Sequence, residues 1–308
     1  MGINRIENKS LIKKIKNLVK PILWGLPIVG DNMRSKSLQK NYSVEIKLLR
    51  GEHHNENTHR SIIHFSLNRA ASQYVRKILA RCATENSMVT VSWAEYAFDT
   101  KFPYLDNLSI REMKKYQCLF KPNGYLFSVF GGMVEGIEEL EKYRIILMVR
   151  DPRDVLVSEY YSYGYAHKAP SRRGNKYDDF MKLRLKALHT TIDQYAFSEC
   201  DRLLNTYQRY IDKLLNRYSQ VYVTRYEDMI ADYQNWLTEL LNYFELKASS
   251  ALLQSLFEES RSLKPEKENI FEHNRKGMAG DYKEKLQAET IDFLNNRFFP
   301  ILEKFGYK

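Results

Sequence analysis

"RIILMVRDPRDVLVSEYYSY", residues 144–163, decides the fold. Residues 144–149 are almost continuously apolar, as a strand covered on both faces must be. The run passes directly into Arg150-Asp151-Pro152-Arg153-Asp154, where a proline stands at a natural helix start, and then into a helical pattern over 154–163. Two arginines, two aspartates and a proline in five positions point to an anion held at the strand end. A structural ion pair between Asp151 or Asp154 and a neighbouring arginine is the alternative.

The same strand-to-helix grammar recurs on either side. Short β-rich runs occupy 61–66, 88–93, 124–130 and 221–227, with helical patterns over 72–82, 134–143 and 200–217. Alternating strand and helix predicts an α/β domain with a central, mostly parallel sheet flanked by helices. Ligands in such folds bind beyond the carboxyl ends of the strands. The domain is expected over 61–308, after a basic N-terminal arm and linker over 1–60. His53, His54 and His59 lie in that linker without carboxylate or cysteine partners at a diagnostic spacing, so they read as a solvated loop rather than a metal site.

Hydrophobic residues make up 44% of the 308, enough to fill an extended core, and the formal net charge of +10 favours an anionic partner without choosing which. Cys82, Cys118 and Cys200 show no paired spacing, which argues for a reducing compartment, and a cytoplasmic location is expected. No apolar run approaches the roughly eighteen residues that a spanning helix needs. In the arm, Leu11, Ile15, Leu18, Val19 and Ile22 share one helical face opposite Lys13, Lys14, Lys16 and Lys20. Residues 11–29 thus read either as a peripheral membrane contact or as a packing arm.

Two further stretches complete the pattern. The first β-rich run leads into "LNRAASQYVRKIL", a loop and helix whose N-terminal N–H groups, with Arg69 and Ser72 beside them, suit a phosphate. The turn has no GxxxxGK[ST] and no glycine, which counts against a nucleotide kinase. Late in the chain stands "NRKGMAGDYKEKL", residues 274–286.

Together these resemble the sulfotransferases that use 3'-phosphoadenosine 5'-phosphosulfate (PAPS), over roughly residues 61–308. The family's 5'-phosphosulfate loop, usually Pro-Lys-Ser-Gly-Thr-Thr-Trp, is matched by Asn68, Arg69, Ala70, Ala71, Ser72, Gln73 and Tyr74. Its 3'-phosphate arginine and serine, eight positions apart, look like Arg150 and Ser158. Tyr226 in "VTRYEDM" is similar to the family's strand tyrosine near the adenine, and Arg275, Lys276 and Gly277 to the loop that closes over the 3'-phosphate. The resemblance implies a P-loop NTPase-like fold, PAPS as co-substrate, adenosine 3',5'-bisphosphate (PAP) as product, no metal, and no nucleic acid as partner.

The implied reaction carries a sulfuryl group to a hydroxyl or amine of a glycan or small-molecule acceptor. Arg69 stands where the family usually has a lysine, and a planar guanidinium does not act as a point donor. Ala71 replaces a glycine, which removes easy access to positive φ. Many members place a histidine base between the first motif and the arginine-serine motif, whereas this chain has none between His64 and His167. Glu95, just after the second strand, is the first candidate base, with His167 and Asp99 behind it. The basic loop 166–179, through Arg172, Arg173 and Lys176, suggests an acidic glycan acceptor. The non-enzymatic alternative is a basic module that binds an anionic polymer or membrane.

Overall fold

The computed structural model describes residues 37–169, 177–272 and 275–307. Its five strands are β1 (Ile62–Ser66), β2 (Val89–Val91), β3 (Tyr125–Phe130), β4 (Arg144–Val149) and β5 (Val221–Arg225). They form one sheet in the order β2-β3-β1-β4-β5, and every pairing is parallel. β1 and β3 are buried at every residue and β4 at all but Arg144, because helices cover both faces, while the edge strands β2 and β5 are only partly buried. With β3 and β4 on either side of β1, the chain reverses direction across the sheet at the β1 end. That reversal opens a crevice at the carboxyl ends of the strands.

The larger helices are α1 (Ser43–Leu49), α2 (Ser72–Glu85), α3 (Trp93–Asp99), α4 (Pro152–Tyr161), α5 (Tyr177–His189), α6 (Ile192–Tyr210), α7 (Tyr226–Ala231), α8 (Tyr233–Phe244), α9 (Ser250–Ser260) and α10 (Ala288–Phe305). Their termini follow from local chemistry. Asp151 accepts from the Arg153 N–H at 2.9 Å and Pro152 occupies the first helical position of α4. Thr191 and Gln194 form a reciprocal capping box for α6, and Gly306 ends α10 at φ 70°. No helix among the described residues is long and apolar enough to cross a membrane.

The structure differs from the sequence reading at three elements. Residues 134–143 are not helical; they form a loop ending in one 3₁₀ turn at Leu140–Lys142. Val134, Ile137 and Leu140 are buried at a spacing of three, which imitates a helical stripe, but Gly136 at φ 85° and Glu139 at φ 51° break the helix. The fifth strand ends at Arg225, so Tyr226 opens α7 rather than lying on the strand, and Glu227 and Asp228 favour the helix start. The helix read over 200–217 begins at Ile192 and passes into a π-turn at Ile211–Leu215.

Residues 42–60, read as linker, pack against the domain. Glu45 of α1 accepts the Ser92 N–H at 2.7 Å, Tyr42 donates to Asp99 at 2.7 Å, and the His53 ring meets the Tyr125 hydroxyl at 2.9 Å. The amphipathic stretch 11–29 and the loop cations Arg172, Arg173 and Lys176 lie outside the described residues.

Candidate active site

The crevice at the ends of β1 and β4 holds a cavity of about 420 Å³. Five separated segments build it: the β1–α2 turn, the β4–α4 corner with the helix and turn that follow it, Tyr226 at the start of α7, the turn at Ser262 and Leu263, and the loop from Ile270 to Arg275. Arg69, Lys77, Arg150 and Arg275 line it as cations, with Glu272 as a carboxylate. An anion with several charges is the ligand that such a lining fits.

The β1–α2 turn has no glycine, yet Arg69 and Ala71 sit at φ 66° and 58°. Ala71 therefore keeps the left-handed conformation that a glycine would adopt without strain, and it starts α2 without a side-chain cap. Tyr74 and Val75 N–H groups both bond to the Ala71 carbonyl, and the turn before them, with Ser72 and Gln73, opens on the cavity. Ala70 is fully buried beneath the turn rather than in the lining. The Arg69 guanidinium lies 5.2 Å from the Tyr163 ring centre.

Arg150 is buried and tightly held. Its guanidinium donates to the Arg69 carbonyl at 3.0 Å and the Met278 carbonyl at 3.2 Å, and it stacks over Tyr226 at 4.1 Å. Burial alone would lower its pKa, but Tyr226 and the carboxylates of Asp154, Glu227 and Asp281 outweigh it and raise it. Ser158, two turns along α4, faces the same cavity. The helix runs on through a π-turn at Ser162–Ala166 that brings His167 into the lining, with its Nδ1 3.2 Å from Ser162 Oγ.

Across the cavity, Arg275 packs over Tyr161 at 4.4 Å and pairs with Glu268 and Asp281. Lys276 pairs with Asp281 at 2.9 Å and with Glu284, and it is not part of the lining. Asp281 is almost fully buried; burial would raise its pKa, but Lys276 and Arg275 hold it below the usual range. Gly277 has φ 60°, and a Cβ there would collide with the Leu263 carbonyl, so the loop closes on residues 261–263 only with glycine.

Glu95 lies in the first turn of α3, just after β2, and it accepts from both terminal nitrogens of Arg76, one at 2.6 Å. Arg76 also donates to Gln73 at 3.1 Å, so Glu95 is joined to the cavity wall through two side chains rather than facing it. Asp99 receives the Tyr42 hydroxyl. Among the described residues, no group of three or more His, Cys, Asp or Glu side chains forms a metal site.

Sequence reading missed Lys77, Tyr161, Ser162, Ser262, Leu263, Ile270 and Glu272 in the lining. Lys77 lies four residues after Gln73 and Tyr161 three after Ser158, so helical periodicity would have found both. Ser262 and Leu263 arrive by tertiary packing alone.

A parallel α/β sheet with a cationic cavity at its strand ends is an architecture that suits a phosphate-bearing ligand. The chain belongs to the sulfotransferase domain family, which matches residues 137–306, more than half of its length, and it is therefore an enzyme. The first motif, at 68–74, lies outside that match. Among solved structures, the chain is similar to a mouse sulfotransferase complexed with PAP, at 15% identity over 80% of this chain and 86% of that one, with a TM-score of 0.47. It is similar also to a retinol dehydratase in complex with retinol and PAP, at 14% identity over 80% and 82%, with a TM-score of 0.45. A sulfotransferase domain from the curacin biosynthetic pathway matches at 14% identity over 82% and 99%, with a TM-score of 0.33. No curated protein matches the chain.

Proposed function

We propose that this enzyme transfers the sulfuryl group of PAPS to an acceptor hydroxyl or amine, with the cavity as the donor site. The observation that carries this reading is the convergence of Arg69, Arg150, Ser158 and Arg275, from three distant segments, on one cavity beside the start of α2. Arg150, Ser158 and Arg275 take the 3'-phosphate, with Gly277 letting the loop close. The turn 68–73 takes the 5'-phosphosulfate, and Tyr74 and Tyr226 border the adenine.

In the transfer, the bond between sulfur and the bridging phosphate oxygen breaks as the acceptor oxygen or nitrogen bonds to sulfur. Negative charge grows on the leaving phosphate, where Arg69 and the N–H groups at the start of α2 offset it. The acceptor's proton passes to a base. His167 is favoured over Glu95 and Asp99, because His167 is part of the cavity lining and neither carboxylate is. His167→Ala then lowers kcat about 100-fold or more while Glu95→Ala does not; the reverse order in a single-turnover assay would return the role to Glu95. An anionic glycan is the proposed acceptor, supported by the net charge of +10 and by Arg172, Arg173 and Lys176. Turnover of small neutral phenols in preference to sulfated glycans would overturn it.

The primary test is thermal stabilisation by PAP, set beside adenosine 5'-phosphate and ATP at equal ionic strength. A shift that requires the 3'-phosphate supports the donor site. Equal shifts from all three would favour a general polyanion binder.

A further inference from the structure

Asp154 is fully buried in the first turn of α4, four residues after Arg150. Its Oδ2 accepts the Gly280 N–H at 2.7 Å and its Oδ1 the Tyr282 N–H at 3.0 Å. Arg150, whose guanidinium comes within 3.9 Å of the same carboxylate, donates to the Met278 carbonyl. Arg150 and Asp154 thus grip three alternate backbone groups, at 278, 280 and 282. Between them Asp281 turns the other way, onto Arg275 and Lys276.

A carboxylate near a helix N-terminus gains from the helix dipole at the surface. That gain does not account for complete burial, which leaves the carboxyl's pKa raised and is only partly offset by Arg150 and by the two loop N–H groups. The groups that satisfy Asp154 belong to the loop that brings Arg275 to the cavity.

We propose that Asp154 is a positioning residue that locks the loop 275–282 onto the end of β4, so that Arg150 and Arg275, remote in sequence, converge on one phosphate. This rests on the proposed donor site. It separates two roles in the stretch 150–158: Arg150 and Ser158 would touch the ligand, whereas Asp154 would act through the loop.

Asp154→Asn keeps the volume but leaves a single oxygen for two N–H donors. The expected result by calorimetry is an affinity for PAP about tenfold or more weaker, with adenosine 5'-phosphate changed less than about twofold. Amide exchange at Gly280 and Tyr282 should also become fast. If Asp154 only balanced the charge of Arg150, its removal would strengthen PAP binding. A gain in PAP affinity, or an equal loss for both nucleotides, overturns the proposal.

If the variant does not fold, amide exchange on the unmodified enzyme decides the matter. Slow exchange at Gly280 and Tyr282 without nucleotide supports the lock, and exchange at open-loop rates overturns it. Failure of the unmodified enzyme to prefer PAP over adenosine 5'-phosphate would instead bring down the donor-site reading itself, and this assignment with it.

Discussion

Ala71 shows how a single methyl group sets a limit on the β1–α2 turn. A left-handed residue with a Cβ costs roughly 1–2 kcal/mol, and glycine recovers part of that at the expense of greater freedom in the unfolded chain. With φ at 58°, Ala71→Gly is expected to be neutral or slightly stabilising in urea denaturation. Ala71→Val, β-branched in the same conformation, should destabilise by about 2 kcal/mol.

His64 carries a different residue-level signature. It is buried in β1 with Nδ1 2.9 Å from Ser128 Oγ, and burial pushes its pKa down to about 3. The unfolded chain takes up this proton near pH 6.5. Between there and pH 3 the unfolded state therefore binds more protons, and stability falls as pH falls. By pH 5 this residue should cost about 2 kcal/mol relative to pH 7. The slope of stability against pH should flatten in His64→Gln; an unchanged slope would assign the acid sensitivity to other groups.

At the scale of elements, the loop 275–282 and the turn 261–263 make a closure that one glycine permits. Gly277→Ala forces the loop off the Leu263 carbonyl, so PAP affinity should fall at least tenfold while the melting temperature changes little, because the loop lies outside the sheet core. A large drop in melting temperature with PAP selectivity intact would show that the contact supports the fold rather than the ligand.

Elements were legible where local and global signals agree. The apolar run at 144–149 is β4 to the residue, and Asp151 with Pro152 starts α4, because burial on both faces and cap chemistry are both written locally. Arg150 and Ser158 were legible with them, since a strand end and the first two turns of α4 fix their relative placement. The stretch 134–143 misled because a loop that buries every third residue has the same period as a helix. Lys276 misled in another way: a motif names the residues of a loop but not the carboxylates, here Asp281 and Glu284, toward which each one turns. Glu95 was misplaced because nothing local to it announces Arg76, nineteen residues earlier in the chain.

Over the whole molecule, two kinds of positive charge must be separated. The net +10 includes many exposed lysines and arginines, which attract any polyanion and are screened within about 10 Å at 0.1 M salt. Arg150 is buried and aligned by two carbonyls and an aromatic ring, so salt screens it much less. Raising sodium chloride from 50 to 500 mM should therefore release the protein from a heparin column while PAP affinity falls less than about tenfold. Because the cavity joins residues from 68 to 275, PAP at 100 times its Kd should also stabilise the chain as one unit, by about 2.7 kcal/mol. If PAP affinity instead declined in parallel with heparin retention, the cavity would be acting as one more patch of surface charge, and the donor site of the enzyme would have to lie elsewhere.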